Sequence, residues 1–157
     1  MQAAMREAKT LRDLPFAVGV FQGRGMWADQ QGQQGNYLAE YKIIAEAGGV
    51  LKHIVSRVFL KEDGSALYEE DSRVRFTPSA DSSFEVAIRH EGKECRGQGH
   101  WFGNRCHYGV IVTGGLRLDV SYTLSEESIQ LLGSSTKDGN LTVWAETLTR
   151  SEFDWRA

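Results

Sequence analysis

The sequence predicts an all-β protein, an antiparallel up-and-down barrel of about ten strands with a short N-terminal helix. Apolar and polar residues alternate in run after run from Gly19 to Thr149, the two-residue period of a strand with one buried face. Short turns containing Gly, Asp or Asn separate these runs at intervals of roughly eight to twelve residues. Such intervals leave no room for crossover helices, so consecutive runs pair antiparallel. Closing the meander into a barrel removes its exposed edges.

Residues 2–14 read as the helix: Ala3, Ala4, Met5, Ala8 and Leu11 favour that conformation, and Pro15 ends it. The first strand runs near Val18–Asp29 and carries Gly19, Gly23 and Gly25. Glycine weakens a strand unless the backbone bends or approaches something closely, so this strand is expected where the wall coils and closes. After the polar turn Gln30–Gly35, a second strand near Asn36–Ala45 sets Tyr37, Ala39, Tyr41 and Ile43 on one face. A third, near Val50–Lys61, leads through the hairpin turn Glu62-Asp63-Gly64-Ser65 into a fourth. There Tyr68, Glu70, Ser72, Val74 and Phe76 share a face against Leu67, Glu69, Asp71, Arg73 and Arg75. Further alternating runs follow, separated at Glu91-Gly92-Lys93, Gly103-Asn104, Gly114-Gly115, Ser125-Glu126-Glu127 and Lys137-Asp138-Gly139-Asn140. The reading is one domain over residues 1–157, with the barrel over about 18–149. Phe153 and Trp155 in the tail are expected to dock on the barrel.

Composition is that of an ordinary globular chain, with 41% hydrophobic and 25% charged residues. A formal net charge of -3 and the absence of any Lys/Arg cluster argue against a nucleic-acid partner. No stretch has the length and apolarity of a membrane span, and the start lacks the apolar core of an export signal, so the expected location is the cytoplasm. Cys95 and Cys106 are accordingly expected to be free thiols. A monomer or a homodimer fits the sequence equally.

The run Gly23-Arg24-Gly25-Met26-Trp27 after a short helix, followed by a meander over nearly the whole chain, resembles the calycin-like superfamily, which includes lipocalins and fatty-acid-binding proteins. In lipocalins a Gly-x-Trp on the first strand packs against a late Arg to close one barrel end. Gly25-Met26-Trp27 is similar to the first half of that arrangement, and Arg150 is the candidate partner. The chain also resembles small bacterial calycin-like barrels. The resemblance implies binding of small hydrophobic molecules, tetrapyrroles in some branches, and isomerase or lyase activity in a few. The helical lid of fatty-acid-binding proteins is not expected, because only a short polar segment separates the first two strands. The nitrobindin-like branch has an iron-ligating His near the C-terminus, and no His follows His107 here, so that ligation does not carry over.

Of His53, His90, His100 and His107, none belongs to a metal-binding motif. His100 and His107 lie near Cys95 and Cys106 but on the opposite strand face, so no metal site is expected and the histidines read as solvated or hydrogen-bonded. Arg57, Arg73, Arg75, Arg96 and Arg117, with Tyr37, Tyr41, Tyr68, Tyr108 and Tyr122, are the candidates for holding a polar ligand group. Glu40, Glu70, Asp119 and Glu146 are candidate buried carboxylates, Glu70 foremost because its face is mainly apolar. The ligand anchors chosen from these sets are Tyr41, Glu70, Tyr108 and Tyr122, on faces dominated by apolar side chains.

The function expected is binding of a small, partly hydrophobic or aromatic ligand inside the barrel. Two alternatives stand beside it: an isomerase or lyase working in the same cavity, and a packed structural barrel without a ligand. No cofactor and no catalytic residue is assigned.

Overall fold

The structure, a computed structural model, describes residues 14–112 and 114–151. It is a closed antiparallel barrel of ten strands. They are β1 (Gly19–Asp29), β2 (Gln34–Ala45), β3 (Leu51–Leu60), β4 (Ala66–Pro78), β5 (Ser83–His90), β6 (Lys93–Phe102), β7 (Arg105–Val112), β8 (Leu116–Leu124), β9 (Ser128–Lys137) and β10 (Asn140–Arg150). Every strand pairs with its neighbours in sequence, and β1 closes the ring against β10 from Phe21↔Arg150 to Asp29↔Thr142. A 3-10 turn, Ala47–Gly49, links β2 and β3. The helix expected over residues 2–14 lies outside the described residues but for Leu14, as do Phe153 and Trp155. No helix among the described residues is long and apolar enough to cross a membrane.

The turns do what their residues require. At Glu91-Gly92 and Asp138-Gly139 both central residues have positive φ, the backbone of a two-residue hairpin whose twist matches that of the strands. In the turn before β4, Asp63 accepts hydrogen bonds from the Ser65 amide and hydroxyl at 2.9 and 2.6 Å.

Burial is graded along the barrel axis. At one end Phe21, Ile43, Phe76, Phe84, Trp101, Leu124, Ile129 and Leu148 fill the interior, and Leu14 and Phe16 plug it from the segment before β1. Each such aliphatic or aromatic side chain contributes roughly 1.5–3 kcal/mol by leaving water, so this closed half holds the fold together. Toward the other end the inward residues Trp27, Phe59, Ile88, Cys95, Val112, Leu118 and Trp144 are only half-buried. That end is the mouth.

The first-strand glycines have distinct roles. A side chain on Gly23 would strike the Thr147 carbonyl and the Leu148 backbone, so Gly23 is where β1 presses on β10 to close the wall. A side chain on Gly25 would strike the Tyr37 ring. The close approach expected of this strand is therefore present, and at Gly25 it is made by a side chain from β2.

Candidate functional site

Two polar side chains are buried among the described residues, His53 and Glu146. Glu146 points inward from β10 between Leu148 of the closed half and Trp144 of the mouth. Tyr37 donates to its Oε2 at 2.8 Å and Tyr41 to its Oε1 at 2.5 Å. Arg57 donates to Oε2 through Nε at 3.2 Å and Nη2 at 3.0 Å, and Nη2 also reaches the Tyr41 hydroxyl at 2.8 Å. Only donors face Glu146, and one is a guanidinium, so this is an ionised carboxylate in a paired site. Burying two charges is costly, and excellent geometry with additional hydrogen bonds offsets that cost here.

The register explains how residues on β2, β3 and β10 meet. Arg57 on β3 pairs with Ala39 on β2, and Ala39 with Gly23 on β1. Tyr37 pairs with Gly25, which in turn pairs with Glu146. The inward positions between Arg57 and Glu146 are thus Ala39, Gly23 and Gly25, a lane of small residues across which the long side chains lie.

Burial and the neighbouring charges act on the donors around the carboxylate. Burial holds the Tyr37 and Tyr41 hydroxyls well above the ordinary tyrosine range, and the Glu146 charge adds to this. Burial by itself pulls the Arg57 guanidinium down, but Tyr41, Glu146 and Tyr37 around it leave it above its ordinary value. Arg57 retains 18% side-chain exposure, and no hydrogen bond among the described residues takes up its Nη1. One edge of the guanidinium is therefore available at the base of the mouth.

Aromatic rings build the mouth. Tyr37 packs on Phe59 at 5.0 Å, and Phe59 stacks on Tyr68 at 4.7 Å. Trp27 and Trp144 are direct partners across the β1–β10 seam. Trp27 lies over Gly35 and Trp144 over Gly133, where a side chain would collide with either indole. Beside Trp27 an open groove of about 380 Å³ extends to Leu60, Lys61 and Glu62.

His53 lies in the closed half with neither ring nitrogen hydrogen-bonded. Phe16 meets it edge-on at 4.6 Å and Phe76 covers it at 4.6 Å. Burial pushes its pKa down to about 3, so the ring is neutral. The expectation of a solvated or hydrogen-bonded histidine is corrected at this position.

The four anchors chosen from sequence fall in three places. Tyr41 belongs to the Glu146 network. Glu70 faces inward at the mouth, one-third exposed, opposite Arg57 in the β3–β4 register and 3.9 Å from His90 Nε2. Tyr108 and Tyr122 are buried in the closed half with rings 6.1 Å apart, and burial pushes Tyr108 up to about 12. Of the candidate carboxylates Glu146 is the buried one, while Glu40 bonds Gln22 outside and Asp119 pairs with Arg117. Of the candidate arginines Arg57 points inward, whereas Arg73, Arg75, Arg96 and Arg117 fall on exposed positions. Cys95 and Cys106 are free thiols on the inner face, with His100 and His107 on the outer one.

The lipocalin-type pairing of Trp27 with Arg150 does not form. Arg150 sits over the Phe21 ring at 4.9 Å and donates to the Val18 and Glu126 carbonyls, sealing the closed end. Trp27 is at the mouth, because β1 runs from the closed end to the open one.

No family model matches this sequence, and no curated protein matches it. Among solved structures the barrel is similar to Rv2717c from M. tuberculosis, with a TM-score of 0.66 and 15% identity over 95% of this chain and 98% of that one. It is also similar to the S-type phycobiliprotein lyase CPES from Guillardia theta, with a TM-score of 0.69 and 7% identity over 87% of this chain and 89% of that one. At these identities the likeness is one of fold alone.

Proposed function

We propose that this protein binds a small, partly hydrophobic organic ligand in the mouth of the barrel. The observation that carries the reading is the position of Arg57, a guanidinium with a free edge set among half-buried aromatic residues. Ligand sites combine an apolar lining with a few placed polar groups, and Trp27, Phe59 and Trp144 with Arg57 have that composition. Rings supply contact area at low entropic cost, and the guanidinium orients one acceptor on the ligand.

A lyase or isomerase reaction in the same mouth is the second reading. The activity named for CPES and the buried Glu146 favour it. Catalysis would require a group that changes protonation during turnover, and the closed hydrogen-bonding of Glu146 is better suited to holding Arg57 in place.

Native mass spectrometry of protein purified from its own host, with ligand-detected NMR against small aromatics and fatty acids, tests the proposal. A co-purifying or added molecule that perturbs the Trp27 and Trp144 indole signals supports it. A protein that leaves its host empty and binds no member of the library overturns it.

A further inference from the structure

The charge arrangement around Arg57 restricts what the mouth accepts. Glu146 already neutralises the guanidinium, at 3.0 Å and out of solvent. Glu70 adds a second carboxylate on the inner wall, directly opposite Arg57 in the strand pairing. The rim carries one charge of each sign, on Lys61 and Glu62. A ligand approaching the free edge of Arg57 therefore meets a donor without net positive charge to offer. An acceptor oxygen gains the hydrogen bond, but an anion also meets two carboxylates in a partly desolvated site, where like charges repel strongly.

We propose, resting on the ligand-binding reading above, that the mouth selects neutral hydrogen-bond acceptors and rejects carboxylates, with Glu146 as the specificity-determining residue. The ligand class is an aromatic or apolar body bearing a ketone, ester or lactam carbonyl. The carbonyl accepts from Arg57 Nη1 while the body packs among Trp27, Phe59 and Trp144. Glu146 acts by cancelling the charge of Arg57 and holding its Nε and Nη2 edge.

Three naphthalenes of nearly equal shape separate the possibilities at pH 7.5: 2-acetylnaphthalene, 2-ethylnaphthalene and sodium 2-naphthoate, titrated by calorimetry and by ligand-detected NMR. The ketone is expected to bind about tenfold tighter than the carboxylate, and tighter than the ethyl compound, which lacks an acceptor. In Glu146→Gln, checked for folding by circular dichroism, the ketone-to-carboxylate ratio should fall at least about fivefold, a change that general hydrophobicity cannot produce. Glu70→Gln, at a part-exposed site, should lower the ketone-to-carboxylate ratio about threefold, so the proposal stays testable if the first variant fails to fold. Naphthoate binding as tightly as the ketone in the wild-type protein, or ratios unmoved in the folded variants, would overturn the selectivity and leave ligand binding standing. Failure of all three probes to bind overturns this inference, while the binding reading stands or falls by the host and library test above.

Discussion

Tyr37 lies across Gly25. Its hydroxyl crosses β1 to reach Glu146 at 2.8 Å, and any side chain at position 25 would occupy the space of its ring. A backbone position on β1 thus sets the hydrogen-bonding of a carboxylate on β10.

Gly25→Ala should destabilise the protein by about 2–3 kcal/mol, because the displaced ring forfeits packing and a bond to a charged acceptor. Urea unfolding of Gly25→Ala, Tyr37→Ala and the double variant measures it. The double variant should be clearly more stable than the sum of the single costs. Strict additivity would show that the ring and the glycine are independent.

Glu146→Leu should cost about 3–5 kcal/mol, since it strands the Arg57 charge in a desolvated site. Combining it with Arg57→Met should recover much of that loss, because both members of the pair are then apolar. Thermal and denaturant unfolding of the two single variants and the double variant decides the matter. A double variant worse than Glu146→Leu alone would contradict this account of the pair.

His53 makes stability depend on pH. In the unfolded chain the imidazole takes up a proton near 6.5, and in the folded barrel only near 3. Between those values the unfolded state binds more protons, so this contribution is fully present above about 6.5 and is lost as pH falls toward 3. His53→Leu removes two unsatisfied polar atoms and should raise stability at pH 7 by about 1–2 kcal/mol. Its advantage over wild type should grow on acidification through that window. Parallel denaturation midpoints for both proteins from pH 7 to pH 4 would refute the assignment.

Trp27 is half-buried, and its truncation should cost less than the 3–5 kcal/mol typical of a fully buried tryptophan, about 2 kcal/mol. The same Trp27→Ala substitution should weaken any ligand of the mouth about tenfold. Calorimetric binding and chemical unfolding of one variant give both numbers. A large loss of stability with unchanged affinity would give Trp27 a purely structural role.

The architecture was legible because a barrel repeats one local rule, inward and outward alternation, in every strand. Tyr37, Tyr41, Val74, Phe76, Tyr108 and Val110 all fall inward where alternation puts them. The site was legible only in parts. Arg57 and Glu146 both stand out as charged residues on apolar strands, but 89 positions separate them. Their meeting depends on the register of β1 against β2 and β10, which no local pattern encodes. Glu70 and Glu146 look alike in sequence; what differs is depth along the axis, with Glu146 next to the closed half and Glu70 near the mouth. His53 carried a signal that parity would have exposed, since it stands between Leu51 and Val55 on an inward face.

The β1–β10 seam ties the charge balance of the interior to completion of the chain. Tyr37, Tyr41 and Arg57 leave the ribosome early, whereas Glu146 belongs to the final strand of the ring, so the guanidinium gains its buried partner only when β10 arrives. Pairing of the last strand is the moment at which the molecule acquires both its closed wall and its buried ion pair.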